Sequence, residues 1–336
     1  MASFEWPEKI EFVHADEPGL VRRRCGRGFV YLTPYGRPVR DRTTIARISA
    51  IAIPPAWNSV WIAPSAYAHL QATGRDARRR KQYRYHPVWA EKRRRANYER
   101  LVDFGRTLPL IRRYIDAGLR RPCLDKDRVL ALALRILDTG MIRIGNDEYL
   151  KQNGSRGLTT LHKRNVAIEG SQIKLSFSGK GGVDYELSLH DARAARALRR
   201  CHELPGQRLF RYPGEDDELH AIGSSAINAL LEELTGQNFT AKDFRTWAGT
   251  VVAFNEFRGR EPGASDAETA RIVNEVCTHT ASVLGNTLAV CKRYYIHPRV
   301  IDAFAAGKLL GVRSARARNG LSAVEMTLAR FLDRSK

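Results

Sequence analysis

Residues 172–190 leave the chain little choice. Ile173, Leu175 and Phe177 alternate with Lys174, Ser176 and Ser178. After Gly179-Lys180-Gly181-Gly182, the residues Val183, Tyr185, Leu187 and Leu189 alternate with Asp184, Glu186 and Ser188. A period of two gathers apolar side chains on one face of a strand and scatters them round a helix. Two such runs about a glycine-rich turn are a β-hairpin. With 165–168 as a further strand, a three-stranded antiparallel sheet is expected. Helical periodicity surrounds it. Asp125 or Asp127 caps a helix running through Leu137, with Val129, Leu130, Ala133, Ile136 and Leu137 on its apolar face. The pattern resumes over 191–202, 224–234, 243–257 and 266–284, with an acidic exposed loop at 214–218. A linker rich in arginine follows, and a last helix begins near Ser322.

The first ninety residues read differently. Phe29, Val30 and Tyr31 suit a strand, and the turn Thr33-Pro34-Tyr35-Gly36 predicts a hairpin with Arg37-Pro38-Val39. A short helix over 43–51 is stopped by Pro54 and Pro55. Short strands are expected at 57–62 and 68–73. The basic run from Lys92 to Arg95 opens a helix and marks a boundary. The expected fold class is α+β. A small mixed α/β N-terminal domain with a β-sheet spans 1–90. A larger, mostly helical C-terminal domain carrying the three-stranded sheet spans 91–336.

Charge narrows the partners. With 56 Lys and Arg against 36 Asp and Glu, the net charge is +20, which attracts polyanions, nucleic acid first. No apolar run approaches the ~18 residues of a membrane span. The N-terminal stretch is acidic and has no apolar leader core, so the cytoplasm is the expected location. The five cysteines are widely spaced without a CxxC pair, which fits reduced thiols better than zinc or disulfides. Asp125-Lys126-Asp127 reads as helix capping rather than a metal pair. Gly179-Lys180-Gly181-Gly182 lacks the flanking pattern of a phosphate-binding P-loop. No metal or other cofactor is expected.

Several residues stand out against this background. Residues 74–86 interleave basic side chains with Gln82, Tyr83 and Tyr85, a composition suited to phosphates and base edges. Arg143 sits in a short apolar run beside glycines, where it needs a structural carboxylate or an anionic ligand. Arg245 is placed in the first turn of a helix opening at Asp243, where an anion would offset its conflict with the helix dipole. In Val283–Ile296, Asn286 follows a glycine and Tyr295 follows the basic pair Lys292 and Arg293. Nearby cations favour a phenolate, so Tyr295 is a candidate nucleophile. The bland alternative is a buried helical stripe of Leu288, Cys291 and Tyr295. His279 is read as structural.

Taken in order, Arg143, Lys180, Arg245, Asn286 and Tyr295 resemble the site of bacterial type IB DNA topoisomerases of the poxvirus-like class. The matching segments are IRIGNDEYLK (142–151), FSGKGGV (177–183), KDFRTW (242–247) and GNTLAVCKRYY (285–295), with RKQYRYH (80–86) in the N-terminal region. The resemblance implies a monomer closing as a clamp around double-stranded DNA in the bacterial nucleoid, with no membrane partner. It implies cleavage of one strand by Tyr295 through a 3′-phosphotyrosine, rotation and religation, relaxing positive and negative supercoils without ATP. Arg143 and Arg245 would hold the non-bridging phosphate oxygens, and Lys180 would protonate the leaving oxygen, which an arginine effectively cannot do. Asn286 stands where many relatives carry histidine; an amide can donate to phosphate but cannot titrate. The implied DNA-binding residues are Arg80, Lys81, Gln82, Tyr83, Tyr85, Tyr149, Lys151 and Lys242. Tyr294 competes with Tyr295, but the nine-residue spacing from Asn286 selects Tyr295.

Two other readings share parts of this pattern. A tyrosine recombinase would use similar groups, but recombinases usually carry histidine three residues before the second arginine, and Lys242 stands there. They also usually have a helical N-terminal arm, whereas 27–62 reads as β-rich. A non-catalytic basic DNA-binding protein would explain the charge and leave the ordered set of five to coincidence.

Overall fold

The structure is a computed structural model and describes residues 5–333, with only the backbone at 152 and 153. The first residues of the acidic N-terminal stretch and the last three of the expected final helix lie outside the described residues. Among the described residues, no helix is long and apolar enough to cross a membrane. The chain parts into two compact units between Asn97 and Tyr98.

The first unit contains β1 (Leu20–Cys25), β2 (Gly28–Leu32), α1 (Arg42–Ile51), β3 (Asn58–Ile62), β4 (Leu70–Arg75) and β5 (Lys81–Tyr85). The strands form one sheet in the order β2-β1-β3-β4-β5. The expected hairpin of β2 with 37–39 forms as a short one, and β2 gains a longer partner in β1. Across the 33–36 turn the Thr33 N–H donates to the Arg37 carbonyl at 2.7 Å and the Val39 N–H to the Tyr31 carbonyl at 2.8 Å, about an antiparallel bridge between Leu32 and Pro38, while the other edge of β2 pairs with β1, Phe29 opposite Arg24. Pro38 is tolerated in this bridge because the flanking residues Arg37 and Val39 make its hydrogen bonds. Leu20, Ile48, Ile51, Val60, Ile62 and Ala72 form the core of this unit. Arg47 is buried in α1 but satisfied: it donates to Gln71 Oε1 at 2.6 Å and to the Ala63 carbonyl at 2.7 Å.

The helix α2 (Pro87–Arg120) starts earlier than the basic run at Lys92 suggests, with Pro87 in its first position. Then come α3 (Lys126–Gly140), α4 (Asp147–Asn153), β6 (Val166–Glu169), β7 (Gln172–Ser178), β8 (Asp184–His190), α5 (Ala192–Glu203), β9 (Arg211–Pro213), β10 (Leu219–Ala221), α6 (Ser224–Thr235), α7 (Ala241–Arg258), α8 (Asp266–Leu284), α9 (Leu288–Tyr294), α10 (Pro298–Ala305) and α11 (Ala323–Asp333). The α+β class holds. The period-two stretch forms the antiparallel sheet β6-β7-β8, with Phe177 opposite Tyr185. The acidic loop at 214–218 is the turn of the small hairpin β9-β10.

Asp125 caps α3 by accepting from the Arg128 N–H at 2.9 Å. The helix is more central than a one-faced pattern implies. Its residues from Val129 to Leu134 are all buried, so packing surrounds it. In α7, Asp243 is not the opening residue. Thr240 is the N-cap and Asp243 closes a capping box, which moves Arg245 out of the first turn. Its position therefore follows from burial rather than from the helix dipole. Trp247 of α7 donates to Glu325 of α11 at 3.1 Å, and Arg112 bridges Glu325 and Asp138, each at 2.8 Å. Burial opposes the Arg112 charge, but the two carboxylates overcome it and hold the guanidinium above its ordinary value.

His297 caps α10 and is buried at 4% exposure. Its ring lies 5.1 Å from that of Tyr98. Burial pushes its pKa down to about 4, and Arg299 acts the same way. The unfolded chain therefore takes up this proton before the folded one does. The stabilisation is complete above the ordinary value near 6.5 and is lost as pH falls from there toward about 4. Replacing His297 by asparagine, which caps but does not titrate, should flatten this dependence. Between pH 7.5 and 5 the stability gap between wild type and His297→Asn should narrow by about 2 kcal/mol in urea denaturation. A constant gap would show that His297 does not titrate in this window.

Candidate active site

Arg143 is delivered by the break after α3. Met141 takes a left-handed conformation at φ 53° and ends the helix. The next residues run against 157–159: the Leu158 N–H donates to the Arg143 carbonyl at 2.8 Å and the Thr159 N–H to the Ile144 carbonyl at 2.7 Å. A Cβ on Gly157 would come within 2.4 Å of the Gly145 nitrogen, so only glycine permits this crossing. The Arg143 guanidinium then donates to Tyr185 Oη, to Asn286 Oδ1 and, at 3.1 Å, to the Gly285 carbonyl.

Arg245 arrives from α7 at 2% exposure. It donates to the Leu284 carbonyl at 2.7 Å and to the Met141 carbonyl. The two arginines thus hold adjacent carbonyls, Leu284 and Gly285, at the end of α8. Burial pushes the Arg245 guanidinium below its ordinary value, and Tyr295 pulls it back up. The guanidinium carbon lies 5.2 Å from the centroid of the Tyr295 ring. Nε of Arg245 and Nδ2 of Asn286 are both buried without a hydrogen-bond partner.

The segment carrying Asn286 and Tyr295 is not one helix. Gly285 ends α8 at φ +58°, and a Cβ there would sit 2.5 Å from Tyr185 Oη. Thr287 caps α9, and Tyr295 is its C-cap. Cys291 is the buried member of the expected stripe; Leu288 and Tyr295 are half-buried. Tyr295 packs at the core margin, and its carbonyl accepts from Thr250 at 3.3 Å. Tyr294 is 43% exposed and lies beside Arg293 instead. His279 pairs with Glu256 at the surface.

Lys180 meets a different ring. It is exposed at the β7-β8 turn, with its ammonium 5.4 Å from the ring centroid of Tyr149 in α4. Lys151 of α4 and Lys242 of α7 are exposed. In the first unit, β5 forms a sheet edge, with Lys81, Tyr83 and Tyr85 spaced along one face. The two tyrosine rings stack at 6.1 Å, and Lys81 lies 5.6 Å from the Tyr83 ring. Gln82 donates to Asp76 at 3.0 Å, and Arg80 pairs with the same carboxylate at 2.6 Å. Among the described residues, no cluster of three His, Cys, Asp or Glu could hold a metal ion.

Tyr185 was not singled out from the sequence. It alternates correctly on β8, stacks on Phe177 at 5.2 Å and orients the Arg143 guanidinium. The available signal was the hydroxyl on an otherwise apolar face, which a buried tyrosine must satisfy.

Guanidinium donors beside a tyrosine, on a helix-rich unit with a small antiparallel sheet, suit chemistry at a phosphate ester. Residues 82–309 match the family described as eukaryotic DNA topoisomerase I, catalytic core, and residues 28–76 match bacterial DNA topoisomerase IB, N-terminal domain. The chain belongs to the type IB DNA topoisomerase family. It is 30% identical over 294 residues to DNA topoisomerase 1B of Acanthamoeba polyphaga mimivirus, covering 85% of this chain and 87% of that one. It is 23% identical over 253 residues to DNA topoisomerase 1B of Vaccinia virus (strain Western Reserve), covering 74% and 77%.

Proposed function

We propose that the chain, a type IB DNA topoisomerase by family, cuts one strand of duplex DNA with Tyr295 and reseals it, relaxing supercoils of both signs without ATP or metal. The supporting observation is the pair of unpartnered donors, Arg245 Nε and Asn286 Nδ2, within the arginine cluster beside Tyr295. Unsatisfied buried donors are costly, and a phosphate oxygen would satisfy them. Tyr295 Oη attacks phosphorus and gives up its phenolic proton to solvent, the bond to the 5′ oxygen breaks, and that oxygen leaves with a proton from Lys180. A phosphate ester is exchanged for another ester, so resealing needs no outside energy. Arg143 and Arg245 stabilise charge on the non-bridging oxygens in the transition state. Asn286 adds a neutral donor, held by Arg143.

DNA binding in this reading uses Tyr149, Lys151 and Lys242 in the helix-rich unit and Arg80, Lys81, Gln82, Tyr83 and Tyr85 in the first. The enzyme works as a monomer clamped on DNA in the nucleoid. Supercoiled plasmid incubated with the protein in EDTA, without nucleotide, should relax through a ladder of topoisomers. Strict dependence on ATP or magnesium would sink this mechanism.

The edge strand β5 supports a separate expectation. Replacing Gln82, Tyr83 and Tyr85 together by alanine removes the stacked rings and leaves the sheet core untouched. Covalent cleavage should lose its site preference or fall by about tenfold or more, at the ~1–3 kcal/mol a stacked aromatic typically contributes. Thermal stability should change little. An unchanged cleavage pattern at moderate salt would show that this strand does not meet DNA.

A further inference from the structure

A second basic feature lies outside the site described above. A cleft of about 590 Å³ is lined by Arg120, Arg128, Arg193, Arg196, Arg199 and Arg200, together with Arg121 and Glu203. Arg121 is occupied by Asp125 at 2.6 Å. Among the described residues, none of the other six has a carboxylate at ion-pair distance. The sequence of α5 explains the crowding. Arg193, Arg196 and Arg200 recur at helical spacing, while Ala194, Ala197, Leu198 and Cys201 are buried.

Arg128 is the anomaly. It is 7% exposed, donates to the Pro122 carbonyl at 3.1 Å, and has a buried Nε without a partner. Burial pushes its guanidinium below the ordinary value, and Arg200 pushes it the same way. An arginine buried among arginines is costly unless an anion completes it. Arg128 and Met141 lie toward opposite ends of α3, roughly 20 Å apart at the rise of an α-helix. The cleft is therefore not an extension of the Tyr295 site.

We propose that this cleft binds a compact phosphate-chain anion, either inorganic triphosphate or the triphosphate tail of a nucleotide. Its volume falls within the usual range for small-molecule sites. The recess favours a free chain end over duplex DNA. A phosphate within a duplex is held at the rim by its neighbours, whereas a chain end can enter and reach Arg128. Guanidinium forks match phosphate oxygens two at a time.

Calorimetric titration of the full chain with inorganic triphosphate at moderate salt should show saturable binding. Arg193→Ala combined with Arg196→Ala, both at exposed positions, should weaken it at least about tenfold. Plasmid relaxation should be unchanged in that variant. Arg128→Lys keeps the charge but loses the fork, and should weaken binding as well. If it folds poorly, the surface pair decides alone. Titration with ATP separates the sources: equal affinity identifies the phosphate chain, tighter affinity a nucleotide, and either supports the site. No saturable binding, or binding unchanged in the surface pair, overturns the proposal. So does a short DNA duplex that loses affinity in the pair when triphosphate does not.

Discussion

Tyr295→Phe is expected to abolish the covalent DNA adduct and plasmid relaxation while folding and binding DNA normally. The substitution removes one oxygen. The ring remains at the core margin, and the backbone contacts that fix it, Tyr295 N–H to Cys291 at 2.9 Å and the Tyr295 carbonyl from Thr250 at 3.3 Å, are unaffected. A nucleophile removed without replacement should reduce cleavage by at least about 10⁴-fold, since no other group supplies the attacking oxygen. Denaturing gels with labelled duplex measure the adduct, and filter binding measures affinity. Adduct at near wild-type levels would move the nucleophile to Tyr294. The structure gives that residue a different setting, 43% exposed and beside Arg293 rather than Arg245.

Lys180→Ala should slow cleavage of ordinary DNA by about 10²–10⁴-fold, the usual contribution of general acid catalysis. It should leave the fold intact, because Lys180 is an exposed turn residue. The diagnostic is a substrate whose bridging 5′ oxygen is sulfur. A thiolate leaves without a proton, so the lysine variant should recover most of its rate on that substrate. Arg143→Ala and Arg245→Ala should recover less, because their proposed partners are the non-bridging oxygens. Failure of sulfur to rescue Lys180→Ala would remove the general-acid role and leave a DNA-positioning charge. Lys180 stands over Tyr149. The proposed chemistry requires its ammonium to approach the 5′ oxygen when DNA binds. Rescue of the lysine variant would make that approach part of the reaction.

Periodicity and turn chemistry are local properties, and they settled what local properties can. Alternation over 172–190 and the glycines between its two runs determined the β7-β8 hairpin, and the helical runs determined α3 and α5–α8 to within a few residues. The same sequence singled out Arg143 as a charge in need of a partner, and the family resemblance put Tyr295 ahead of Tyr294. Choices between distant segments were settled only in three dimensions. The short pairing of β2 with 37–39 was legible from its turn, but the longer pairing of its other edge with β1 was not. Nothing local marks α3 as buried on all sides; that depends on how many elements pack around it. Tyr185 reads as one more alternating residue until β8 is placed beside the end of α8. There its hydroxyl meets Arg143, over a glycine that admits no side chain. The meeting of Arg143 and Arg245 on neighbouring carbonyls likewise joins residues about a hundred positions apart in the chain. Tertiary packing decides such pairings, because the atoms that satisfy a buried charge are chosen by proximity in space and leave no period in the sequence.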